Sequence, residues 1–233
     1  MPRNSETRRR TFSVSAASAL AIVAFATGCT AGGNLPDGHA ARASPSELQQ
    51  LGAGFLGDTP TPSPEATVNP EPGSWEGVVP PAGYRVVLIS AGQDAATATL
   101  TTAVTDWASR ERVELHTLTA ANDEEVEARA IEALATSPDL VIGVGSGVID
   151  VLALVTPQHL AQQFLIVGAE LPEPTENVTS AVWKGATFRG TGLSASGDQD
   201  AKSVTPKRAD EAITAGVASV LSGLTGIVLH LSF

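Results

Sequence analysis

Short apolar runs alternate with helical stretches from residue 84 to residue 231, and this alternation constrains the fold more than any other feature. The first run, Arg85-Val86-Val87-Leu88-Ile89-Ser90, is β-branched and lacks polar alternation, as expected of a strand buried on both faces. The predicted strands are residues 85–90, 113–118, 139–145, 164–169, 178–183 and 227–231. The predicted helices are residues 95–109, 123–136, 148–162, which Pro157 interrupts, and 206–222. The pattern predicts an α/β fold with a doubly wound, mostly parallel sheet of about six strands, flavodoxin-like or Rossmann-like.

The N-terminus has the organisation of an export signal. Arginines at residues 8–10 precede an uncharged apolar stretch at residues 12–25, which is shorter than the ~20 residues of a spanning helix. Thr27 and Gly28 then precede Cys29, the only cysteine of the chain. This arrangement resembles a bacterial lipobox, although Ala26 stands where leucine is most common. It predicts removal of a signal peptide, residues 1–28, and a membrane anchor of diacylglyceryl-cysteine at Cys29, carrying acyl chains such as palmitate.

Two alternatives remain open at this end of the chain. Arg9-Arg10-Thr11-Phe12 resembles a twin-arginine export signal, but general secretory signals also carry several arginines. Cys29 could instead be a buried free cysteine of an ordinary secreted protein. In either case a single cysteine excludes an internal disulfide, so the exported domain must be held by its hydrophobic core. We expect the mature protein on the outer face of the bacterial cell membrane.

A segment rich in glycine, proline and serine follows Cys29. Residues 29–82 are rich in proline, and seven prolines lie between residues 60 and 81. We predict that residues 29–82 form a flexible tether, with a short helix at residues 46–56. Trp75 is the exception, and we expect it to pack on the first strand of the domain. Residues 83–233 are then a single domain, long enough for a substantial core.

The net charge of -11 excludes one class of partner. A nucleic-acid-binding protein needs clustered lysine and arginine to neutralise phosphates, and here the basic residues are concentrated in the export signal. We therefore predict no nucleic-acid partner.

Residues 88–182 resemble the N-terminal lobe of the basic membrane protein family, which consists of lipid-anchored solute-binding proteins of ABC transporters. The resemblance is carried by Gly143-Val144-Gly145 ahead of Asp150, and by Asn177-Val178-Thr179-Ser180-Ala181-Val182. It implies one lobe of a type I periplasmic-binding fold, a small-molecule solute such as a nucleoside, and an ABC permease as partner.

Two departures from that family support an alternative function. Residues 93–97 read Gln-Asp-Ala-Ala-Thr, where the family has a Ser-Phe-Asn segment that contacts the ligand. The sequence also ends near the point where the second lobe of the family would begin. The alternative is a tethered cell-envelope scaffold that has lost solute binding.

Ligands of open parallel sheets bind beyond the carboxyl ends of the strands, and this rule selects the candidate site. The candidate ligand-binding residues are Ser90, Gln93, Asp94, Gly145, Ser146, Asp150, Glu170 and Trp183. The glycine-rich segment at residues 143–147 is either a tight turn or a cradle for an anion. Asp150 either contacts a ligand or complements the dipole of its helix.

Nothing in the sequence indicates catalysis. His39, His116, His159 and His230 are scattered, without metal-ligand spacing, and neither a Gly-x-Ser-x-Gly elbow nor a P-loop is present. We predict no catalytic residues, no metal and no cofactor, and we disfavour an exported hydrolase or nucleotide enzyme.

Overall fold

The computed structural model describes residues 48–57, 60–186, 189 and 200–233. Cys29 and the predicted signal peptide lie outside the described residues, so lipidation stays a prediction. Residues 53–57 form turns and bends, and no helix occurs at residues 48–56, contrary to the short helix expected there.

A seven-stranded sheet forms the centre of the fold, and every strand pair in it is parallel. The strands are Thr67–Val68 (β1), Arg85–Ala91 (β2), Glu114–Ala120 (β3), Leu140–Val144 (β4), Phe164–Val167 (β5), Val178–Trp183 (β6) and Val228–Leu231 (β7). Their order across the sheet is β1-β7-β6-β5-β4-β2-β3. The predicted α/β class is confirmed, with one strand more than expected.

Four α-helices cover the two faces of the sheet. They are Ala95–Glu111 (α1), Asp123–Ala135 (α2), Ile149–Val155 (α3) and Pro206–Leu221 (α4). Helices α1 and α4 share one apolar core with strand residues such as Leu88 and Leu165, whereas α2 and α3 share a second core with Ile89 and Ile166. The four strand residues are all 0% exposed. Burial on both faces explains why the strands read as continuous apolar runs.

Local chemistry sets the ends of these helices. Asp94 and Asn122 begin α1 and α2 by accepting hydrogen bonds from the backbone N–H groups of Thr97 and Glu125, both at 2.9 Å. Helix α3 ends at Val155 and is followed by a 3-10 turn, Thr156–Gln158, that contains Pro157. The helix expected at residues 148–162 is therefore cut to seven residues, because proline lacks the N–H that would continue it.

The chain order reverses beside β2, which has β3 on one side and β4 on the other. In a doubly wound sheet, such a reversal opens a crevice outside the carboxyl ends of the two central strands. This switch point lies after Ala91 and Val144, where several candidate residues were expected.

The segment expected to be a tether up to residue 82 belongs to the fold from residue 48 onward, apart from residues 58–59, which are not described. Strand β1 pairs with β7 through Thr67↔Val228 and Val68↔Leu229. Phe55 and Val68 are 1% exposed and Trp75 is 5% exposed, all within the core that α1 and α4 share. Val68 and Trp75 each stand between polar residues, so the composition of the segment did not indicate that it packs on the domain.

Asn177 joins the loop after α3 to the start of β6. Its side chain is 1% exposed, and Nδ2 donates hydrogen bonds to the carbonyl oxygens of Thr156, His159 and Gln162, at 3.2, 3.1 and 2.9 Å. Its Oδ1 accepts a hydrogen bond from Thr175 Oγ1 at 2.6 Å. The side-chain amide of Asn177 therefore holds three backbone carbonyl groups in place.

We expect Asn177→Asp to lower the free energy of unfolding by about 3 kcal/mol, because a carboxylate would face carbonyl oxygens that lose their donor. Urea denaturation of the two proteins measures the difference. Thr175→Val is the matched control, since it removes only the bond to Oδ1 and should cost about 1 kcal/mol. Equal losses in both variants would contradict a dominant role for the amide donors.

Candidate functional site

The switch point is tightly packed. Thr97 is 3% exposed, and its Oγ1 donates to Asp94 Oδ2 at 2.7 Å. Burial raises the pKa of the Asp94 carboxyl, but the hydrogen bonds that it accepts, from Thr97 and from the backbone of Asp94 and Ala96, outweigh this effect, and the net pKa lies below its ordinary value. The cavity that remains beside these residues holds about 200 Å³, less than the ~300–1,000 Å³ of ordinary ligand sites.

The glycine-rich segment after β4 forms a tight turn against β2. Gly145 has a φ of +89°, and a Cβ there would stand 2.5 Å from the carbonyl oxygen of Ala91 and 2.8 Å from Thr97 Oγ1. Only glycine fits this combination of backbone conformation and close approach. Of the two interpretations of residues 143–147, the geometry favours the turn, and the seven residues of α3 make a poor anion site.

A larger cavity lies at the same edge of the sheet, beyond the carboxyl ends of β6 and β7. We call it the β6–β7 cavity; it holds about 950 Å³. Its lining comprises three short stretches, residues 183–185, 200–203 (without 201) and 230–233, together with Arg208 of α4. This volume falls within the range of small-molecule sites.

Aromatic rings form one part of the β6–β7 cavity. The rings of Trp183 and Phe233 meet edge to face, with centroids 5.9 Å apart and an interplanar angle of 75°. The Arg208 guanidinium carbon lies 5.5 Å from the centroid of Phe233, a cation–π contact. Trp183 is 1% exposed and donates from Nε1 to the carbonyl oxygen of Ser203 at 3.0 Å, so it is fixed in place.

The charged groups that line the β6–β7 cavity are mainly cationic. Lys184, Lys202 and Arg208 contribute positive charge, and Asp200 is the one lining residue with a carboxylate side chain. Asp200 Oδ1 already accepts a hydrogen bond from the backbone N–H of Lys202 at 2.9 Å.

Glu170 follows β5 and lies close to this cavity without lining it. Burial raises the pKa of the Glu170 carboxyl above its ordinary value, whereas the charges of Arg189 and His230 oppose that rise. Arg189 Nε stands 3.9 Å from Glu170 Oε2. His230 itself belongs to the cavity lining.

The structure divides the predicted site residues between different places. Asp94, Gly145 and Ser146 line the small cavity at the switch point, and Trp183 lines the β6–β7 cavity. Ser90 is 6% exposed within β2. The remaining three, Gln93, Asp150 and Glu170, line neither cavity. A binding role for each of the eight stays a prediction.

The sequence analysis missed the cationic and C-terminal parts of the β6–β7 cavity. Lys202 and Ser203 belong to a short 3-10 helix, Ala201–Ser203, Arg208 to the first turn of α4, and Phe233 to the residues after β7. The rule about strand ends selects the edge of the sheet at which this cavity lies. It does not indicate which loop or helix residues fold over that edge.

Neither a metal-binding cluster nor a membrane-spanning helix occurs among the described residues. No group of three or more histidine, cysteine, aspartate or glutamate side chains there could hold a metal ion. Among those residues, no helix has the length and apolar character needed to cross a membrane.

Comparisons with known proteins give partial likenesses of fold. No protein-family model matches the chain, and no curated protein matches it. A proposed lipoprotein fragment from Peptoclostridium difficile 630 has a TM-score of 0.41 at 16% identity, with 59% of this chain and 97% of that chain covered. An ABC transporter solute-binding protein from Aeropyrum pernix K1 has a TM-score of 0.38 at 20% identity, covering 43% of this chain. One from Conexibacter woesei DSM 14684 has a TM-score of 0.38 at 18% identity, covering 44%.

The chain spans 28% and 36% of the lengths of the two solute-binding proteins. Membership of the basic membrane protein family stays a prediction. The assignment of an α/β fold rests on the parallel sheet itself and its strand order.

Proposed function

We propose that this protein is a lipid-anchored, extracytoplasmic protein that binds a small solute in the β6–β7 cavity. The observation that carries the proposal is a cavity of about 950 Å³ at the carboxyl edge of a parallel sheet. Ligands of open α/β sheets bind at this edge. Fixed aromatic rings and several polar groups converge there, as in ordinary small-molecule sites.

The proposed location follows from the N-terminal sequence. The basic residues, the short apolar stretch and Cys29 have the spacing of a lipoprotein signal. The resemblance of residues 88–182 to solute-binding proteins adds an ABC permease as the proposed partner. Export and membrane anchoring would place the cavity where solutes arrive from outside the cell.

We infer binding rather than catalysis at this cavity. Ser203 belongs to the lining, but its Oγ is buried and has no hydrogen-bond partner among the described residues, so no base there activates this hydroxyl as a nucleophile. His230 belongs to the same lining, whereas Glu170 lies outside it. These groups can hold a ligand without a proton relay between them.

A tethered scaffold is the second candidate function, and one observation favours it. The crevice at the switch point is almost filled by the contacts among Ala91, Thr97 and Gly145. A nucleoside would not fit into the 200 Å³ that remain there. If the β6–β7 cavity also takes no solute, the fold would serve as a platform for a cell-envelope partner.

Thermal denaturation of the mature protein with a panel of neutral, cationic and anionic solutes, nucleosides included, tests the proposal. A ligand at about one hundred times its Kd adds about 2.7 kcal/mol of stability, which raises the Tm by about 5–10 °C at this chain length. Ser232→Trp should abolish that rise, because Ser232 is exposed and lines the β6–β7 cavity.

Gln93→Trp is the matched control, placing the same bulk on an exposed residue beside the switch point. It should leave the rise in Tm unchanged. A panel without any shift would reject solute binding and favour the scaffold, and loss of binding in Gln93→Trp alone would move the site to the switch point.

A further inference from the structure

Resting on the proposed function, we infer that the β6–β7 cavity takes an organic anion: a carboxylate or phosphate group attached to a planar or apolar body. The charge of the cavity lining supports this inference. Three of the four fully charged lining side chains are cationic, in a chain whose net charge is -11. A cationic cavity in an acidic protein concentrates anions at one place and repels cations from it.

Arg208 is held in a fixed position by its contacts. Its Nη1 donates to the carbonyl oxygen of Ser203 at 3.2 Å, and its guanidinium group lies over the ring of Phe233. That bond uses one of the five guanidinium N–H donors. A planar fork held in advance loses little entropy on binding, and its geometry matches the oxygens of a carboxylate or a phosphate.

The cavity lining also includes Ser203, a residue whose hydroxyl group is unsatisfied. Ser203 is 7% exposed, and its Oγ makes no hydrogen bond within the described part of the chain. Its carbonyl oxygen, in contrast, accepts hydrogen bonds from both Trp183 and Arg208, which holds the residue in place. A buried hydroxyl without a partner destabilises the protein, and a rotation of this side chain toward the cavity would let it donate a hydrogen bond to an anion oxygen.

The exposed ring of Phe233 indicates that the ligand also has a planar or apolar part. Phe233 is 46% exposed, so its ring presents apolar surface to the cavity beside the guanidinium group of Arg208. A free inorganic anion would leave that surface exposed to water. A planar or apolar body would cover it, and offset stacking of rings adds to the burial.

Isothermal titration of the mature protein with four probes tests this inference. Phenyl phosphate and benzoate carry both an anion and a ring, benzyl alcohol carries only the ring, and benzylamine reverses the charge. We expect one or both of the anionic probes to bind at least about tenfold more tightly than benzyl alcohol, and benzylamine not to bind.

Charge-neutralising variants locate the anion. Lys202→Gln and Arg208→Gln should each weaken the anionic probe by about tenfold or more, because each removes a charge-assisted contact. Lys207→Gln is the matched control, since Lys207 belongs to the same helix as Arg208, lies outside the cavity lining and pairs with Glu211 at 3.7 Å. It makes the same change in net charge and should leave the affinity unaltered. Lys202 is exposed, so its variant tests the inference even if Arg208→Gln does not fold.

Ser203→Ala separates binding from stability. Removing an unsatisfied hydroxyl should leave the Tm of the free protein unchanged or higher, while the affinity for the anionic probe falls severalfold. Ser222→Ala removes another unpartnered buried hydroxyl outside the cavity, and it should not change the affinity.

Failure of this inference is distinct from failure of the proposed function. Equal affinity for benzyl alcohol, no binding of either anionic probe, or equal losses in Lys202→Gln and Lys207→Gln would each overturn the anion assignment. A neutral or cationic solute that stabilises the protein and is blocked by Ser232→Trp would still support solute binding in the β6–β7 cavity.

Discussion

Replacing Cys29 with alanine is expected to move the protein from the membrane fraction to the soluble fraction, or to leave it as an uncleaved precursor. The thiol of Cys29 is the predicted attachment point of a diacylglyceryl group. Two or three acyl chains give stable attachment, because each buried methylene contributes ~0.8 kcal/mol and a single chain is marginal. No other cysteine could take its place.

Metabolic labelling with a fatty acid, followed by mass analysis of the mature N-terminus, measures this result. Ala26→Leu is the matched control, since it installs the residue most common at that lipobox position and should preserve labelling. The folded domain of Cys29→Ala should melt at the same temperature as the wild type. An unmodified N-terminus at any residue other than Cys29 would contradict the lipoprotein prediction.

The central sheet could be predicted because its signals are local. Strand β6, Val178–Trp183, has the predicted bounds, and β2 differs from its prediction by one residue. Both are continuous apolar runs, as burial on two faces requires. The break after α3 was equally local, since Pro157 cannot continue a helix.

Strand β1 had no such signal. It is two residues long, and it pairs with β7 at residues Val228 and Leu229, far away along the sequence. Phe55 and Trp75 likewise gain their burial from the core of the distant helices α1 and α4. A proline-rich composition indicates that a segment has no hydrophobic core of its own. It does not exclude that the segment packs on a core formed by distant residues of the chain.

One of the eight predicted site residues lines the β6–β7 cavity, and binding at that cavity stays a prediction. Trp183 follows from its position at the end of β6, and it lines the β6–β7 cavity. Lys202, Ser203 and Arg208 come from a glycine- and serine-rich region and the helix after it. These residues come together because that region folds over the sheet. No spacing of residues in the sequence indicates how it folds there.

Deleting residues 1–82 is expected to abolish cooperative unfolding, whereas deleting residues 1–47 is not. The longer deletion removes β1 and four side chains of the buried hydrophobic core, Phe55, Val68, Trp75 and Val78. Each contributes roughly 1.5–3 kcal/mol by burial, which as an upper bound is comparable to the ~5–15 kcal/mol that stabilises a typical domain.

Thermal and urea denaturation of the fragments 48–233 and 83–233, followed by near-UV circular dichroism, tests this expectation. Fragment 48–233 retains every contact of the described residues and should unfold in one transition. Fragment 83–233 should lack a sharp transition and bind hydrophobic dyes, because it loses the β1 partner of Leu229 and the four apolar side chains that residues 48–82 add to the core. If residues 48–82 were only a tether, both fragments would melt at the same temperature.

Point variants in the full mature chain separate lost packing from the effect of deletion. Phe55→Ala should lower the free energy of unfolding by about 3–5 kcal/mol, since the ring is 1% exposed and its removal leaves a cavity. Val79→Ala is the matched control from the same segment, with a side chain that is 52% exposed, and it should change stability by less than about 0.5 kcal/mol. Equal, small effects in the two variants would show that residues 48–82 do not stabilise the domain.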